Sequence, residues 1–209
     1  MRLPLPTVRR ALPPLATVAA ALLAAACSDA ATAPSASPSA GPRRTTAAVD
    51  TTYGTFSYDP SVSYDLSLGG GHRLQIPAGA VCNPATSGYG PTTWDAACAP
   101  LAQTLTFSVK TWRDPSGRPR MQVSPDVRFV PGANVVLRMK DDAASASASS
   151  AILWCPTGAT RCVDESLQDA ALLTRGGGNG FVYRRLKHFS GYTVVVDRAG
   201  GGEDNGFGF

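Results

Sequence analysis

The segment KHFSGY, residues 187–192, places a histidine and a serine two positions apart with a phenylalanine between them. On an extended chain, residues two apart face the same side, so we expect His188 and Ser190 to project together and Phe189 to project opposite. An imidazole beside a hydroxyl is the minimal pair for an activated oxygen nucleophile. The carbonyl within reach of that hydroxyl belongs to Phe189, so the three residues are candidate catalytic residues for cleavage of their own chain.

The chemistry that this spacing suggests is an N→O acyl shift followed by hydrolysis. Ser190 attacks the carbonyl of Phe189, the amide becomes an ester, and water opens the ester, which cuts the chain between the two residues. Because the ester is less stable than a relaxed amide, distortion of the peptide must contribute on the order of a few kcal/mol. Burial of Phe189 beside Gly191, whose backbone accepts unusual angles, is one way to store such strain. The alternative is a polar pair packed where a buried strand begins, and the sequence favours this alternative.

The rest of the chain offers few candidates for chemistry. His72 and His188 are too few for a multi-histidine metal site. The acidic pairs at 141–142 and 164–165 lack the alternating oxygen ligands of a calcium loop, so they are interpreted as solvated turn charges. The chain has no G-x-S-x-G or H-E-x-x-H motif. We therefore expect no metal, no cofactor and no external small-molecule substrate, and at most intramolecular autoproteolysis.

Residues 1–26 have the pattern of a lipoprotein signal peptide. A positively charged start precedes a short apolar run that ends in LLAAAC at Cys27. This ending resembles the lipobox of bacterial lipoproteins, in which the cysteine is lipidated and becomes the mature N-terminus, although Ala24 replaces the usual leucine. The apolar run is too short and too rich in proline for a comfortable membrane span. Ordinary secretion with an unmodified Cys27 is the alternative.

Residues 27–49 are rich in Ala, Ser, Pro and Thr and are expected to form a disordered linker after the lipidated cysteine. Anchor, linker and domain together predict a lipoprotein anchored to a cell-envelope membrane, on its periplasmic face or at the outer surface. Without the arginines of the signal peptide the charges nearly balance and are scattered, which argues against a nucleic-acid partner. The expected partners are the membrane, through the lipid, and an unidentified protein or envelope component.

Residues 50–198 carry the pattern of an all-β domain. Short runs rich in β-branched and aromatic residues, such as TLTFSVKTW and FVYRRLKHF, alternate with turn residues. This spacing predicts an antiparallel β-sandwich, with a hairpin turn at GGGNG, 176–180. A mobile loop is expected at 141–150 and a short helix at 165–173. The Gly-rich tail, 199–209, is expected to be disordered.

Four cysteines remain once Cys27 is assigned to the anchor, and an even number fits an oxidising compartment. Three pairings are possible, of which the local one, Cys82–Cys98 with Cys155–Cys162, is the most economical. Closing the first loop would stabilise the fold by about 3 kcal/mol in the chain-entropy model. A four-cysteine zinc site is disfavoured because the chain has no C-x-x-C pair.

The domain resembles the ZU-five domains, the β-sandwich modules of ankyrins, netrin receptors and a self-cleaving death-domain scaffold. The resemblance rests on GGGHRLQIPAGAV at 69–81, SPDVRFVPGANVVLRM at 124–139 and the HFS triplet at 188–190, and it covers roughly 69–197. The insertion between Cys82 and Cys98 departs from the family pattern. The resemblance implies a ZU-five-like sandwich, and in cleaving members the cut falls between the Phe and Ser of the triplet. The favoured function is a non-catalytic binding or structural module displayed from a membrane; the alternative is autoproteolysis between Phe189 and Ser190.

Overall fold

The structure, a computed structural model, describes residues 50–196. The predicted signal peptide, Cys27, the linker and the Gly-rich tail lie outside these residues. In chain order the strands are β1 (Thr52–Tyr58), β2 (Tyr64–Ser67), β3 (Arg73–Ile76), β4 (Leu105–Arg113), β5 (Pro119–Arg128), β6 (Val135–Lys140), β7 (Ala151–Cys155), β8 (Arg175–Gly178), β9 (Phe181–Leu186) and β10 (His188–Val195). Helical structure in the described part of the chain is limited to α1 (Asp142–Ala146) and three 3₁₀ turns.

The strands form two five-stranded sheets in which every strand pairing is antiparallel. The first sheet has the order β1-β4-β5-β10-β7, and the second has the order β2-β3-β6-β9-β8. This arrangement confirms the predicted all-β, antiparallel sandwich class. Across residues 50–196 we find no helix with the length and apolar character needed to cross a membrane.

The core follows from the alternation of side chains along the strands. In β4, Phe107 and Val109 are buried while Thr106 and Ser108 are exposed. The same period buries alternate residues of β6 in the second sheet, namely Val135, Leu137 and Met139. Because burying one large apolar side chain stabilises a fold by about 1.5–3 kcal/mol, this pattern decides which faces of the sheets meet.

The chain changes sheets immediately before the HFS triplet. The run FVYRRLKHF was predicted as a single strand, which is wrong, because β9 ends at Leu186 in the second sheet and β10 begins at His188 in the first. Lys187 alone connects them, and its carbonyl accepts a hydrogen bond from the N–H of Phe129 at 2.8 Å. The triplet therefore forms the first three residues of β10, directly after the chain has crossed from the second sheet to the first.

Three smaller predictions can be compared with the structure. GGGNG contains the turn of the β8–β9 hairpin, as predicted: residues 176–178 end β8, and Asn179 and Gly180 form the turn at positive φ. The expected loop at 141–150 contains α1, whose first turn is capped by the carboxylate of Asp141. The expected short helix at 165–173 is instead two 3₁₀ turns, Glu165–Leu167 and Ala170–Leu172.

The two disulfides are local, as predicted. Cys82 pairs with Cys98, with their Cα atoms 5.8 Å apart, and Cys155 pairs with Cys162 at 4.1 Å. At the base of the first loop, the N–H of Asn83 donates to the carbonyl of Ala99. Two disulfides in one small domain indicate an oxidising compartment.

Candidate functional site

The HFS triplet lies at an irregularity in the pairing of β10 with β5. Phe189 pairs with Val127 and Gly191 pairs with Gln122, so residues 123–126 of β5 lie opposite Ser190. Such a bulge interrupts the ladder and redirects side chains. The candidate scissile bond is therefore at the one register shift in the β5–β10 pairing.

Gly191 is required for space and not for an unusual backbone angle. Its φ is not among the positive values in the domain, so the expected source of strain at this glycine is not present. A Cβ at this position would lie 2.6 Å from the carbonyl oxygen of Cys155 on β7. Glycine therefore permits β10 to approach β7 closely, directly after Ser190.

Phe189 anchors the peptide in the core. Its side chain is fully buried and packs edge-on against Phe107 and Phe129, with ring centroids 5.2 and 4.7 Å away. Edge-to-face pairs of this kind contribute about 0.5–1.5 kcal/mol beyond the burial of area. The residue on the carbonyl side of the candidate scissile bond is thus held firmly.

Ser190 is held by a tryptophan. Its side chain is 1% exposed, and the indole Nε1–H of Trp154 donates to its Oγ at 2.6 Å. Because indole nitrogen is only a donor, this bond occupies an oxygen lone pair and leaves the hydroxyl hydrogen of Ser190 available. Burial raises the pKa of the neighbouring Tyr89 phenol, and the Ser190 hydroxyl opposes this rise in part.

His188 is paired with a buried carboxylate. Its Nε2 lies 2.9 Å from Oε1 of Glu165, and the guanidinium of Arg184 contacts the other carboxylate oxygen. Burial raises the pKa of Glu165, but the hydrogen bond from His188 and the charge of Arg184 outweigh burial and lower it overall. Arg184 reaches across from β9 and also donates to the carbonyl of Ile152 on β7 at 2.7 Å.

The imidazole is neutral, and its free lone pair is on Nδ1. Burial lowers the pKa of His188, although Glu165 opposes this effect. Because Glu165 is ionised, the ring proton is assigned to Nε2, where it donates to the carboxylate, and Nδ1 is left as an acceptor. This is the protonation state that a general base requires.

Two tyrosine hydroxyls approach Nδ1, but each has a nearer acceptor. Tyr192 Oη lies 2.6 Å from the carbonyl oxygen of His188 and 3.3 Å from Nδ1. Tyr89 Oη lies 2.8 Å from the carbonyl oxygen of Phe189 and 3.2 Å from Nδ1. Since a phenol has one hydrogen, the shorter contacts use both, and Nδ1 keeps a lone pair for another donor.

Aromatic rings enclose the imidazole. Trp94 stacks on His188 with centroids 4.0 Å apart and planes at 19°, and Trp154 meets it edge-on at 4.9 Å. His188 is fully buried, whereas Tyr89 is 38% exposed and forms the rim. The site is therefore an enclosed, low-dielectric cluster that contacts solvent on the side of Tyr89.

The structure brings His188, Phe189 and Ser190 together with partners that sequence reasoning missed. Glu165 was interpreted as a solvated turn charge, which is wrong, because it is 5% exposed and is paired with the guanidinium of Arg184 and the imidazole of His188. Tyr89 was given no role, because it lies in the insertion between Cys82 and Cys98. Neither Glu165 nor Tyr89 could be identified from a local sequence motif, because each contacts the triplet through the packing of segments that are distant in the chain.

The chain matches none of the protein-family models, curated proteins or solved structures with which it was compared, so the resemblance to ZU-five domains stays a prediction. Across residues 50–196, no group of three or more His, Cys, Asp or Glu side chains is arranged to hold a metal ion. The case for a function therefore depends on the geometry around the HFS triplet.

Proposed function

We propose that this domain is a self-cleaving module that cuts its own chain between Phe189 and Ser190, and that a lipid on Cys27 anchors the protein in the cell envelope. The observation that carries the proposal is the pairing of His188 with Glu165. This pairing leaves the imidazole neutral, with an unused lone pair on Nδ1. His188 lies two residues before the buried Ser190. The sequence favoured a non-catalytic module; this hydrogen-bond pattern favours cleavage.

The first step is an acyl shift within the chain. Nδ1 of His188 takes the hydroxyl proton of Ser190 while Oγ forms a bond to the carbonyl carbon of Phe189. The C–N bond then breaks, and the proton passes from His188 to the departing nitrogen, which becomes the amine of Ser190. Glu165 stabilises the imidazolium that forms between these two transfers, as a carboxylate partner does in serine nucleophile systems.

The second step is hydrolysis of the ester. A water molecule adds to the carbonyl carbon, the C–Oγ bond breaks, and the products are a carboxylate on Phe189 and a free hydroxyl and amine on Ser190. Water reaches the site from the side of Tyr89, the exposed member of the cluster. Because residues 191–193 remain paired with β5 and residues 191–195 with β7, the new fragment stays bound after the cut.

A second candidate function is the non-catalytic display module. The observation that favours it is the burial of the triplet, because Ser190 and His188 are at most 1% exposed and water must enter for the ester to be opened. In that case Trp154 and Glu165 serve only to satisfy buried polar groups, as stable cores require. Its binding partner would be a protein or envelope component.

Denaturing mass spectrometry of the folded chain tests the proposal. The expected result is two fragments that meet at Phe189–Ser190 and that co-elute in native chromatography. Ser190→Ala removes the nucleophile and should give a single intact mass, while Ser108→Ala, at an exposed serine of β4, should cut normally. Intact wild-type mass after prolonged incubation of folded protein would contradict self-cleavage and leave the display module as the remaining candidate.

The anchor is tested separately by fractionation. Cys27→Ser removes the sulfur that would carry the lipid, so the protein should move from the membrane fraction to the soluble fraction. Ser28→Ala, at the neighbouring residue, serves as the matched variant and should remain with the membrane. If Cys27→Ser also stays with the membrane, the lipid anchor is wrong.

A further inference from the structure

The loop closed by the Cys82–Cys98 disulfide reaches the candidate scissile bond. From this loop, Tyr89 places its hydroxyl 2.8 Å from the carbonyl oxygen of Phe189, and Trp94 stacks on His188. The insertion that departs from the pattern of the resembled family thus supplies two walls of the site. One of them touches the atom on which charge develops during cleavage.

We propose that Tyr89 is a catalytic residue of the self-cleavage reaction and that cleavage therefore depends on the Cys82–Cys98 disulfide. The inference rests on the proposed function. When Oγ of Ser190 adds to the carbonyl carbon of Phe189, the carbonyl oxygen becomes an oxyanion. The hydroxyl hydrogen of Tyr89 is already directed at that oxygen and stabilises the charge. No side chain of β10 itself makes this contact in the described hydrogen bonds.

The protonation of Tyr89 suits this role. Burial raises the pKa of its phenol, so the hydroxyl stays protonated and remains a donor across the physiological range. Its contact with the carbonyl exists before the reaction, so no reorganisation is needed when the charge forms. The hydroxyl of Tyr192, by contrast, is committed to the carbonyl of His188, which does not react.

The disulfide determines whether the loop can hold Tyr89 there. One end of the loop is hydrogen-bonded to β5, because the backbone N–H of Cys82 donates to the carbonyl of Arg128 at 3.0 Å. At the far end, the guanidinium of Arg128 donates to the carbonyls of Ala96 and Ala97, at 2.6 and 3.1 Å. The covalent bond joins these two ends, and the residues between them are mostly small and exposed.

Reduction would release this loop. Closing the loop restricts the conformations of the unfolded segment, and without the bond the segment is held only by the packing of Trp94 and by the hydrogen bonds of Arg128. Tyr89 then leaves the carbonyl for part of the time, and Trp94 uncovers His188. Self-cleavage is thus slow in a reducing compartment and accelerates after export, once the disulfide has formed.

The first experiment removes one hydroxyl. The intact full chain is refolded from denaturant with a glutathione redox buffer, and the fraction cut at Phe189–Ser190 is followed over time by denaturing mass spectrometry. Tyr89→Phe should slow cleavage by about 10²–10³-fold, the effect of losing one oxyanion donor. Tyr53→Phe, at a tyrosine that is 73% exposed, should cut at the wild-type rate. An equal rate for Tyr89→Phe overturns the catalytic role while the proposed function stands.

The second experiment removes the disulfide. Cys82→Ala/Cys98→Ala, and the wild-type chain refolded with reductant, should both be at least tenfold slower than the oxidised wild type, and reoxidation should restore cleavage in the wild type alone. Circular dichroism of each sample separates loss of the loop from loss of the fold. Wild-type rates in a folded, reduced sample overturn the redox dependence. Absence of cleavage in the oxidised wild type overturns the proposed function and this inference together.

Discussion

The two histidines of the chain occupy buried sites with different neighbours. His72 follows the turn Gly69–Gly71 and is 2% exposed, and its Nδ1 accepts a hydrogen bond from the backbone N–H of Lys140 at 3.0 Å. His188 is fully buried in the other sheet and has the carboxylate of Glu165 on Nε2. Burial lowers the pKa of both, and that of His72 to about 4.

The comparison of the two sites shows that burial alone makes a histidine neutral but does not make it a general base. His72 uses its available lone pair for a backbone donor, so it satisfies β6 and has no free base to offer. His188 has its proton held by a carboxylate and its Nδ1 lone pair left open, two residues before Ser190 in the same strand. A buried histidine therefore becomes a base only when a second residue fixes its tautomer and no nearer donor occupies the other nitrogen.

Removal of each imidazole in turn gives the largest expected difference. His188→Ala should slow self-cleavage by about 10²–10⁴-fold, since the general base is lost. His72→Ala should leave the rate of cleavage unchanged, because that ring has no contact with the triplet. Both rates are measured by denaturing mass spectrometry below the unfolding temperature of each variant. Equal slowing in the two variants would mean that cleavage follows stability and not the chemistry of His188.

Loss of the buried carboxylate of Glu165 should destabilise the fold more than loss of an exposed carboxylate. Glu165→Gln leaves the buried guanidinium of Arg184 without its counter-charge, which is expected to reduce the free energy of unfolding by about 3–5 kcal/mol. Denaturant unfolding, in a Ser190→Ala background to keep the chain intact, measures the loss. The matched variant Asp65→Asn breaks the exposed pair with Arg73 and should cost under about 1 kcal/mol. Similar losses in both would contradict a buried ion pair at Glu165.

The pH dependence of stability should report the titration of His72, whose folded pKa is strongly lowered. His72 has a folded pKa of about 4, below the value of about 6.5 expected in the unfolded chain, so the unfolded state binds more protons between these pH values. Stability should therefore fall by about 3 kcal/mol as the pH drops from 6.5 toward 4. The carboxylate of Asp141 opposes this effect, and the charge of Arg113 adds to it.

The variant His72→Gln checks this assignment, again in the Ser190→Ala background. Its unfolding free energy should vary less between pH 6.5 and 4 than that of the parent. The remaining slope in the same direction belongs in part to His188, whose folded pKa is also lowered. An unchanged slope in His72→Gln would show that His72 is not the group that titrates.

The smallest expected effect concerns the second tyrosine beside His188. Tyr192→Phe leaves the carbonyl of His188 without its donor, which should reduce stability by about 1–3 kcal/mol. Cleavage should remain close to the wild-type rate, because this hydroxyl does not contact the carbonyl of Phe189. If Tyr192→Phe slowed cleavage as much as Tyr89→Phe, both phenol hydroxyls would have a catalytic role.

The part of this protein that sequence could predict is the part that is local in the chain. Alternation with a period of two residues identifies the strands and hence the all-β class. The two disulfides span 16 and 7 positions, so short separations were enough to select them. The prediction that His188 and Ser190 project to the same side likewise uses only neighbouring residues of an extended chain.

Only the tertiary structure decided which side chains complete the site. Glu165 is 23 residues from His188 along the chain, and Tyr89 is 99 residues from it, so no spacing rule relates them. Their positions follow from the switch between sheets at Lys187, the packing of two loops against β10 and the bulge opposite Ser190. Those are set by how buried surfaces fit together over the whole domain, which depends on the sum of many contacts and not on any single segment.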